Sequence, residues 1–316
     1  MATTSDCSPA GSGDFVIRGH RVPDEFVGQF RNSSDVDNAR ELRRRLADSG
    51  YVFLRGVLDK DEVLSAREEV FSRLADVGEI KPPAIDGIAT GQSRRRELVD
   101  DLIGFWQSVS EGPALRQVGH GPRVRALMQT IFGEPARPQD YLWLRPRGIG
   151  WSTGLHFDHP FFARGSQRVH TVWIPLGDVP FSDGPLTLVE GSNKFLDLIH
   201  AVHAQDNQAN NSPTVAMRAA FQGEWSRDAI AFVRKRNTRL LSAEFCAGDV
   251  LIFDMDTLHG SLDNHSLIGR TRLSCDVRYQ PSSDPLDERY FGPNPSGASG
   301  NGYGDMNSCK PLTEMS

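Results

Sequence analysis

The stretch "GLHFDHPFF", residues 154–162, sets His156, Asp158 and His159 into four positions of an otherwise apolar run. A buried charge is expensive unless something pairs with it, so a carboxylate placed there invites a cation. Along an extended strand, residues two apart share a face. His156 and Asp158 would then project together while Phe157 faces away. Two ligands of different type on one strand make two corners of a metal site. The segment "GDVLIFDMDTLHGS" offers a third: Gly248-Asp249 launches an apolar strand and His259 sits near its far end. Two imidazoles and one carboxylate on one side of a metal suit Fe(II), with positions left open for O2 and a co-substrate. The same His-x-Asp pair also fits a surface ion pair or a strand-end hydrogen bond, so its neighbours in the fold matter.

Eleven residues after His259 comes Arg270, in "GRTRLSC". By the period of two it shares a face with Arg272 and Ser274. An arginine aimed into a barrel needs an anion, and its planar fork matches a carboxylate. The dicarboxylate 2-oxoglutarate fits, with one end on the metal and the other on Arg270. Arg272 takes that place if the register slips by two. The competing reading pairs both arginines with acidic side chains at a rim.

These residues need elements to position them. Residues 35–49 have helical periodicity, "YVFLRG" (51–56) reads as a short buried strand, and residues 58–78 read as a helix with Asp59 at its N-cap. Residues 81–96 are Pro/Gly-punctuated and polar, which predicts a long loop that could close over a site. Helices are predicted near 97–110 and 121–132. From about residue 140 short segments rich in Val, Ile, Leu and aromatics follow one another: "YLWLR", "TGLHFD", "VHTVWIPL", "LTLVEG", "RLLSAEF", "DVLIFDMD" and "TRLSCDVRYQ". That texture predicts an antiparallel sandwich or barrel. A polar, partly helical insertion interrupts it at about 195–237. The expectation is an α+β chain: a loose tail over 1–13, then one domain over 14–316. Within it lie a helical front at 30–135, a barrel core at about 140–282 and a loop tail at about 284–316.

Composition sets the outer limits. The chain has 316 residues, 38% hydrophobic and 24% charged, which is the balance of a folded globular protein. A net charge of -6 gives no electrostatic case for nucleic acid or an anionic membrane. No apolar run is long enough to span a bilayer, and no signal peptide or peroxisomal address is visible. Cys7, Cys246, Cys275 and Cys309 are scattered without a CxxC, which points to a reducing cytoplasm rather than a disulfide framework.

The ordered set "LHFDHPFF", "TVWIPLGDVPFSDGPLTLVEGSNKF", "GDVLIFDMDTLHGS" and "GRTRLSC" resembles the phytanoyl-CoA dioxygenase family of Fe(II)/2-oxoglutarate-dependent oxygenases, over roughly residues 140–280. Asn193 stands where that family often has His. The resemblance implies a double-stranded β-helix, or jelly-roll, core. It implies His156, Asp158 and His259 as iron ligands and Arg270 as the partner of the distal carboxylate of 2-oxoglutarate. Trp173 and Tyr141 would line the co-substrate pocket. Related halogenases replace the carboxylate ligand with a small residue, so Asp158 favours hydroxylation or another oxidation of a small-molecule substrate. Two other readings stay open at this point: a jelly-roll sensor without turnover, and a cupin-like metalloenzyme that does not use 2-oxoglutarate.

Other residues of similar type carry less. His159 faces away from Asp158, and His170 reads as a packed histidine. His200 and His203 are three apart on an ordinary amphipathic helix. The run Arg94–Arg96 reads as a solvated face. Phe161, Phe162 and Trp143 could wall a pocket or simply pack the barrel.

Overall fold

Strand patterning in the second half of the chain resolves into two facing sheets. The computed structural model describes residues 15–34, 38–207, 220–221 and 223–308. The expected tail over 1–13, with Cys7, and also Cys309 lie outside these residues. A hairpin of β1 (Val16–Ile17) and β2 (His20–Arg21) comes first, then β3 (Val27–Gln29). Helix α1 (Ala39–Ser49) starts at Asn38, whose side chain accepts from the Arg40 N–H, and stops at Gly50. That glycine has φ 78°, a left-handed conformation that closes helices at little steric cost. Strand β4 (Tyr51–Leu54) follows. Helix α2 (Lys60–Asp76) is capped as the sequence predicts, with Asp59 accepting from the Asp61 and Glu62 N–H groups.

The rest of the helical front is α3 (Arg95–Leu98), α4 (Leu102–Ser110), α5 (Pro113–His120) and α6 (Pro122–Phe132). The sequence predicts two helices here. Helix α5 is an addition, and Gly121-Pro122 divides it from α6 because a proline fits only a helix's first turn.

The core strands are β5 (Ala136–Pro138), β6 (Trp143–Arg147), β7 (His170–Pro175), β8 (Leu186–Val189), β9 (Leu240–Ser242), β10 (Val250–Asp254), β11 (His259–Ser261) and β12 (Arg272–Pro281). The larger sheet runs β4-β10-β7-β12-β5, with β6 also on β12; the smaller runs β11-β8-β9-β3. All these pairings are antiparallel except β3 with β9. This is the jelly-roll core, buttressed by helices. Between β6 and β7 a loop runs into the one-turn helix α7 (His159–Phe162). The insertion between β8 and β9 carries α8 (Leu196–Asn207), α9 (Glu224–Arg227) and α10 (Ala229–Arg236).

Strand β12 divides the molecule. Its Leu273, Cys275, Val277 and Tyr279 join the apolar cluster that Phe71, Leu74, Trp106 and Met128 of the helical front complete. By the period of two, Arg272, Ser274, Asp276 and Arg278 face the other way, into the barrel. All four are buried.

Three expectations about loops change. Residues 81–96 are held in place rather than free. Arg67 donates to the carbonyls of Ile85 and Asp86, and Ile88 bridges to Arg270, so the segment is bound beside the start of β12. Arg95 is not solvated: it forms a buried ion pair with Glu79 at 2.5 Å and lies over Trp106. The C-terminal tail is irregular yet docked, with Tyr290, Tyr303 and Met306 buried in the main core. No helix among the described residues is long and apolar enough to cross a membrane.

Candidate metal centre

Main-chain pairing brings the two histidines together. The His156 N–H donates to the His259 carbonyl (2.8 Å), and the His259 N–H donates to that of His156 (3.0 Å). The segment "TGLHFD", however, is not a strand. Only His156 makes a bridge. Asp158 already has helical backbone (φ -78°, ψ -21°) and leads into α7, where Pro160 suits the first turn. The Met255 carbonyl accepts from the N–H groups of Asp158 and His159 and turns the chain. Asp158 thus reaches the cluster from a helix entrance. Phe157 does face away, packing edge-on against Trp225 at 5.5 Å.

The donor atoms of His156, Asp158 and His259 all lie within 4.8 Å of one another. Each Nε2 is 3.7 Å from Asp158 Oδ1, too far for a hydrogen bond and suited to an ion between them. The other polar atoms are already engaged. His156 Nδ1 donates to the Gly154 carbonyl (2.9 Å) and His259 Nδ1 to that of Thr257 (3.0 Å). A carbonyl only accepts, so both tautomers leave Nε2 with a free lone pair. Asp158 Oδ2 accepts from Thr171 Oγ1 (2.8 Å) and Arg278 Nη2 (3.2 Å), which leaves Oδ1 for a metal.

Electrostatics favour the same state. Burial lowers the pKa of His156 to about 3, and the neighbouring His259 adds to the effect. Burial lowers His259 as well. For Asp158 burial opposes ionisation, but Arg278, His259 and His156 outweigh it and hold the carboxyl below its ordinary range. Two neutral imidazoles and an ionised carboxylate are what a divalent metal requires. The donor set therefore fits Fe(II).

A second group, His159, His203 and Asp256, also has its donor atoms within 4.8 Å. The two rings are stacked 3.5 Å apart and 18° from parallel. Lone pairs lying in nearly parallel planes do not converge on one ion. His203 Nε2 instead bonds Asp256 Oδ1 at 2.8 Å, tying α8 to the turn after β10. His200 is exposed. His170 packs edge-on against Phe132 at 4.9 Å.

A small cavity of about 30 Å³ adjoins the triad, lined by Arg145, Trp173, Leu186, Phe253, Ser261 and Arg272 together with His156 and His259. Trp173 borders this cavity. Arg270 and Tyr141 do not. The Arg270 backbone is taken up by Ile88 and Asn264, its side chain pairs with Asp183 at 3.3 Å, and it borders a separate outer cleft. The β12 ladder begins only at Arg272, so the alternation does not extend back to Arg270. Tyr141 precedes β6, stacks on Tyr303 at 4.5 Å and donates to the Gly302 carbonyl, anchoring the tail.

Arg272 is 4% exposed. Its Nη1 donates to Ser274 Oγ at 2.6 Å and its Nε is buried without a partner. Burial, with Arg147 nearby, lowers its pKa to about 9. A buried guanidinium with so little to bind is poised for an anion.

Sequence reasoning missed Arg145, Thr171, Asp276 and Arg278. Asp276 Oδ2 accepts from Arg145 Nε (3.0 Å) and Arg278 Nη1 (3.2 Å), so Asp276 aims the arginine that holds Asp158. The alternation of charged and apolar residues in "RLSCDVR" was a visible signal for this face. Phe162 and Trp143 pack on Arg278, at 4.5 and 5.5 Å, and do not line the cavity beside the triad. The ring that covers His156 is Phe221 of the insertion, nearly parallel at 4.7 Å, with Phe161 6.5 Å from it.

The turn before His259 carries a pH dependence. Burial raises the pKa of Asp254 to about 7, against the pull of its bond to Thr257. Its contribution to stability is complete below about pH 4, its unfolded value, and is lost as pH rises through about 7. Asp254→Asn keeps the acceptor for Thr257 without the charge. In metal-free protein its melting temperature should match wild type near pH 4 and exceed it by roughly 5 °C near pH 7.5. A difference that does not change with pH would refute this assignment.

The family model for phytanoyl-CoA dioxygenase matches residues 46–272. The 1-deoxypentalenic acid 11-beta-hydroxylase of Streptomyces exfoliatus is 27% identical over 256 residues, 78% of this chain and 83% of that protein. The enzyme of the same name from Streptomyces arenae is 26% identical over 256 residues, again 78% of this chain and 83% of that protein. Among solved structures, EctD from S. alaskensis with 2-oxoglutarate and 5-hydroxyectoine has a TM-score of 0.51 at 16% identity, covering 86% of each chain. The α-ketoglutarate-dependent carbocyclase SnoK from nogalamycin biosynthesis has a TM-score of 0.50 at 19% identity, covering 92% of this chain and 97% of that one. At these identities the structures establish a shared fold.

Proposed function

Because the chain belongs to the phytanoyl-CoA dioxygenase family, we propose that its metal centre oxidises an unactivated C–H bond of a small-molecule metabolite. The chain is a 2-oxoglutarate-dependent non-haem iron oxygenase, using Fe(II), 2-oxoglutarate and O2. The observation that carries the proposal is the buried triad with Nε2, Nε2 and Oδ1 all unspent, beside a buried arginine with spare donors.

His156, Asp158 and His259 would hold the iron. When bound, the iron with 2-oxoglutarate converts O2 into an oxidant strong enough for a C–H bond, releasing succinate and CO2. The chain supplies position and dryness. Thr171 and Arg278 fix Asp158 so that Oδ1 is presented. Asp276 holds Arg278. Arg272 receives the distal carboxylate of 2-oxoglutarate, with Trp173 flanking it. That role belongs to Arg272 rather than Arg270 because only Arg272 borders the cavity that the histidines line. A cavity of this size holds about one water, so entry of 2-oxoglutarate requires its walls to part. Phe221, from the insertion, stacks on His156.

Asp158 supports hydroxylation, the reaction named for both Streptomyces relatives. We take residues 14–316 as one oxygenase domain working in the cytoplasm. A sensor without turnover, or a cupin-like enzyme without 2-oxoglutarate, would leave Arg272 with no purpose.

The test is direct. Anaerobic protein with Fe(II) and 2-oxoglutarate should develop a weak visible charge-transfer band, and O2 should then yield succinate. Neither band nor succinate would sink the proposal.

A further inference from the structure

The connection between β11 and β12 ends in a tight turn. The Gly269 N–H donates to the Ser266 carbonyl (3.3 Å), which puts Leu267 and Ile268 at the two central positions. Such positions ordinarily go to Gly, Pro, Asn, Asp or Ser. Here they carry two large aliphatic side chains, Leu267 fully exposed and Ile268 58% exposed. The turn is firmly built. Asn264, itself buried, accepts from the Ser266 N–H (3.1 Å) and donates to the Arg270 carbonyl (2.8 Å). Ser266 Oγ accepts from the Arg270 N–H (3.3 Å). A fixed backbone that holds adjacent aliphatic side chains in water is a preorganised knob awaiting a partner.

Beside the knob lies the outer cleft, about 670 Å³, with Ile268 on its edge. Leu64, Ile85 and Ile88 give it apolar walls. It is held open by Arg67, which donates to the carbonyls of Ile85 (2.6 Å), Leu176 (2.9 Å) and Asp86 (3.1 Å). The charges around it balance. Lys60, Arg67 and Arg270 stand with Asp86 and Asp178 along the lining, and Asp183 behind pairs with Arg270. The chain as a whole carries -6. Two copies therefore repel over most approaches, and a patch with both signs in equal number is where they can meet. A strongly charged macromolecule finds no net charge to match there, whereas a second copy meets its own complement. A knob and a hole side by side on one patch also satisfy a two-fold contact, since each copy's knob can enter the other's hole.

We propose that this face is a self-association surface. Two copies of the chain pack about a two-fold axis, with Leu267 of each seated in the other's outer cleft and the bases of one rim against the acids of the other. The surface lies apart from the metal centre, and the proposal does not depend on the reaction assigned to it.

The test is sedimentation velocity on the full-length chain from about 1 to 100 μM. Wild type should shift from the mass of one chain to that of two, with nothing larger, because a two-fold contact closes on itself. Leu267→Asp should weaken association by at least about 30-fold, the effect of losing a central apolar anchor. Its melting temperature in dilute solution should stay within about 2 °C of wild type, because the side chain is fully exposed. Leu267→Ser adds no charge and should still weaken association by about 10-fold or more, which separates lost packing from repulsion. Lys60→Glu keeps the knob and tips each balanced rim negative. It should weaken association by about 5-fold or more at low ionic strength and recover in about 0.5 M salt. Wild type that stays at one chain at the highest concentration, or grows beyond two, overturns the proposal. So does either Leu267 variant that associates as wild type does. Lys60→Glu that associates normally at low salt would place the contact away from the cleft and overturn it as well.

Discussion

His259→Ala is expected to lower bound iron from about one atom per chain to less than about a tenth, and to abolish succinate formation. Elemental analysis after anaerobic loading measures the first, and oxidation of 2-oxoglutarate the second. On the proposed assignment the loss is total, because His259 would be one of three protein ligands. Asp158→Ala would remove iron equally well but is a poorer probe. Asp158 is also the counter-ion of Arg278, and both are 2% exposed or less. Truncating it leaves a buried guanidinium with Asp276 alone, at a cost of about 2–4 kcal/mol. Its phenotype would mix unfolding with iron loss. His259→Ala gives up a neutral ring against Phe253, and the fold should survive it. Iron retained at wild-type stoichiometry in His259→Ala would refute the ligand assignment.

Arg272→Met should weaken 2-oxoglutarate binding by about 10- to 150-fold, the worth of one charge-assisted hydrogen-bonded pair. The same variant should leave the melting temperature of the empty protein equal or higher. Arg272 is buried with Ser274 as its one hydrogen-bond partner among the described residues, and removing a buried cation with so few partners relieves a desolvation penalty. Stability that rises while ligand affinity falls marks a residue kept for function. Arg270→Met should show the opposite pattern. It strips the partner from the buried Asp183, so stability falls while 2-oxoglutarate affinity holds. Isothermal titration and thermal melts on both variants separate the two arginines. If Arg270→Met is the variant that loses the co-substrate, the assignment to Arg272 is wrong.

These two arginines show where local pattern stops. The spacing from His259 is satisfied at Arg270, and the period of two puts Arg270 and Arg272 on one face. That period holds only inside a ladder. Strand β12 begins at Arg272, while Arg270 is held by Ile88 from the segment 81–96. Which arginine points inward was therefore decided by a contact from nearly two hundred residues upstream. Tyr141 has the same history. Its position beside β6 suggested the pocket, and stacking with Tyr303 of the tail turned it away.

The pair His156 and Asp158 makes a subtler case. The expectation that both face one way is met, for a different reason. A regular strand would have placed them by its pleat. The chain instead bridges once at His156 and bends into α7 at Asp158, and the Met255 carbonyl takes the N–H groups that a ladder would have used. The outcome is shared because a half-turn into a helix also swings a side chain back over the preceding residue. The mechanism was not readable, since Pro160 and Phe161 are compatible with either path.

By itself the sequence indicated the candidate triad, most of the helices and core strands, and the insertion. These follow from local composition: apolar periodicity, caps such as Asp59, and the turn residues between the short strands. Only the tertiary structure decided which arginine borders the cavity beside the triad, and that Asp276 and Arg278 hold Asp158. Those facts depend on register between strands far apart in sequence and on which buried side chain neutralises which. A charge in a chain has no partner until the fold supplies one.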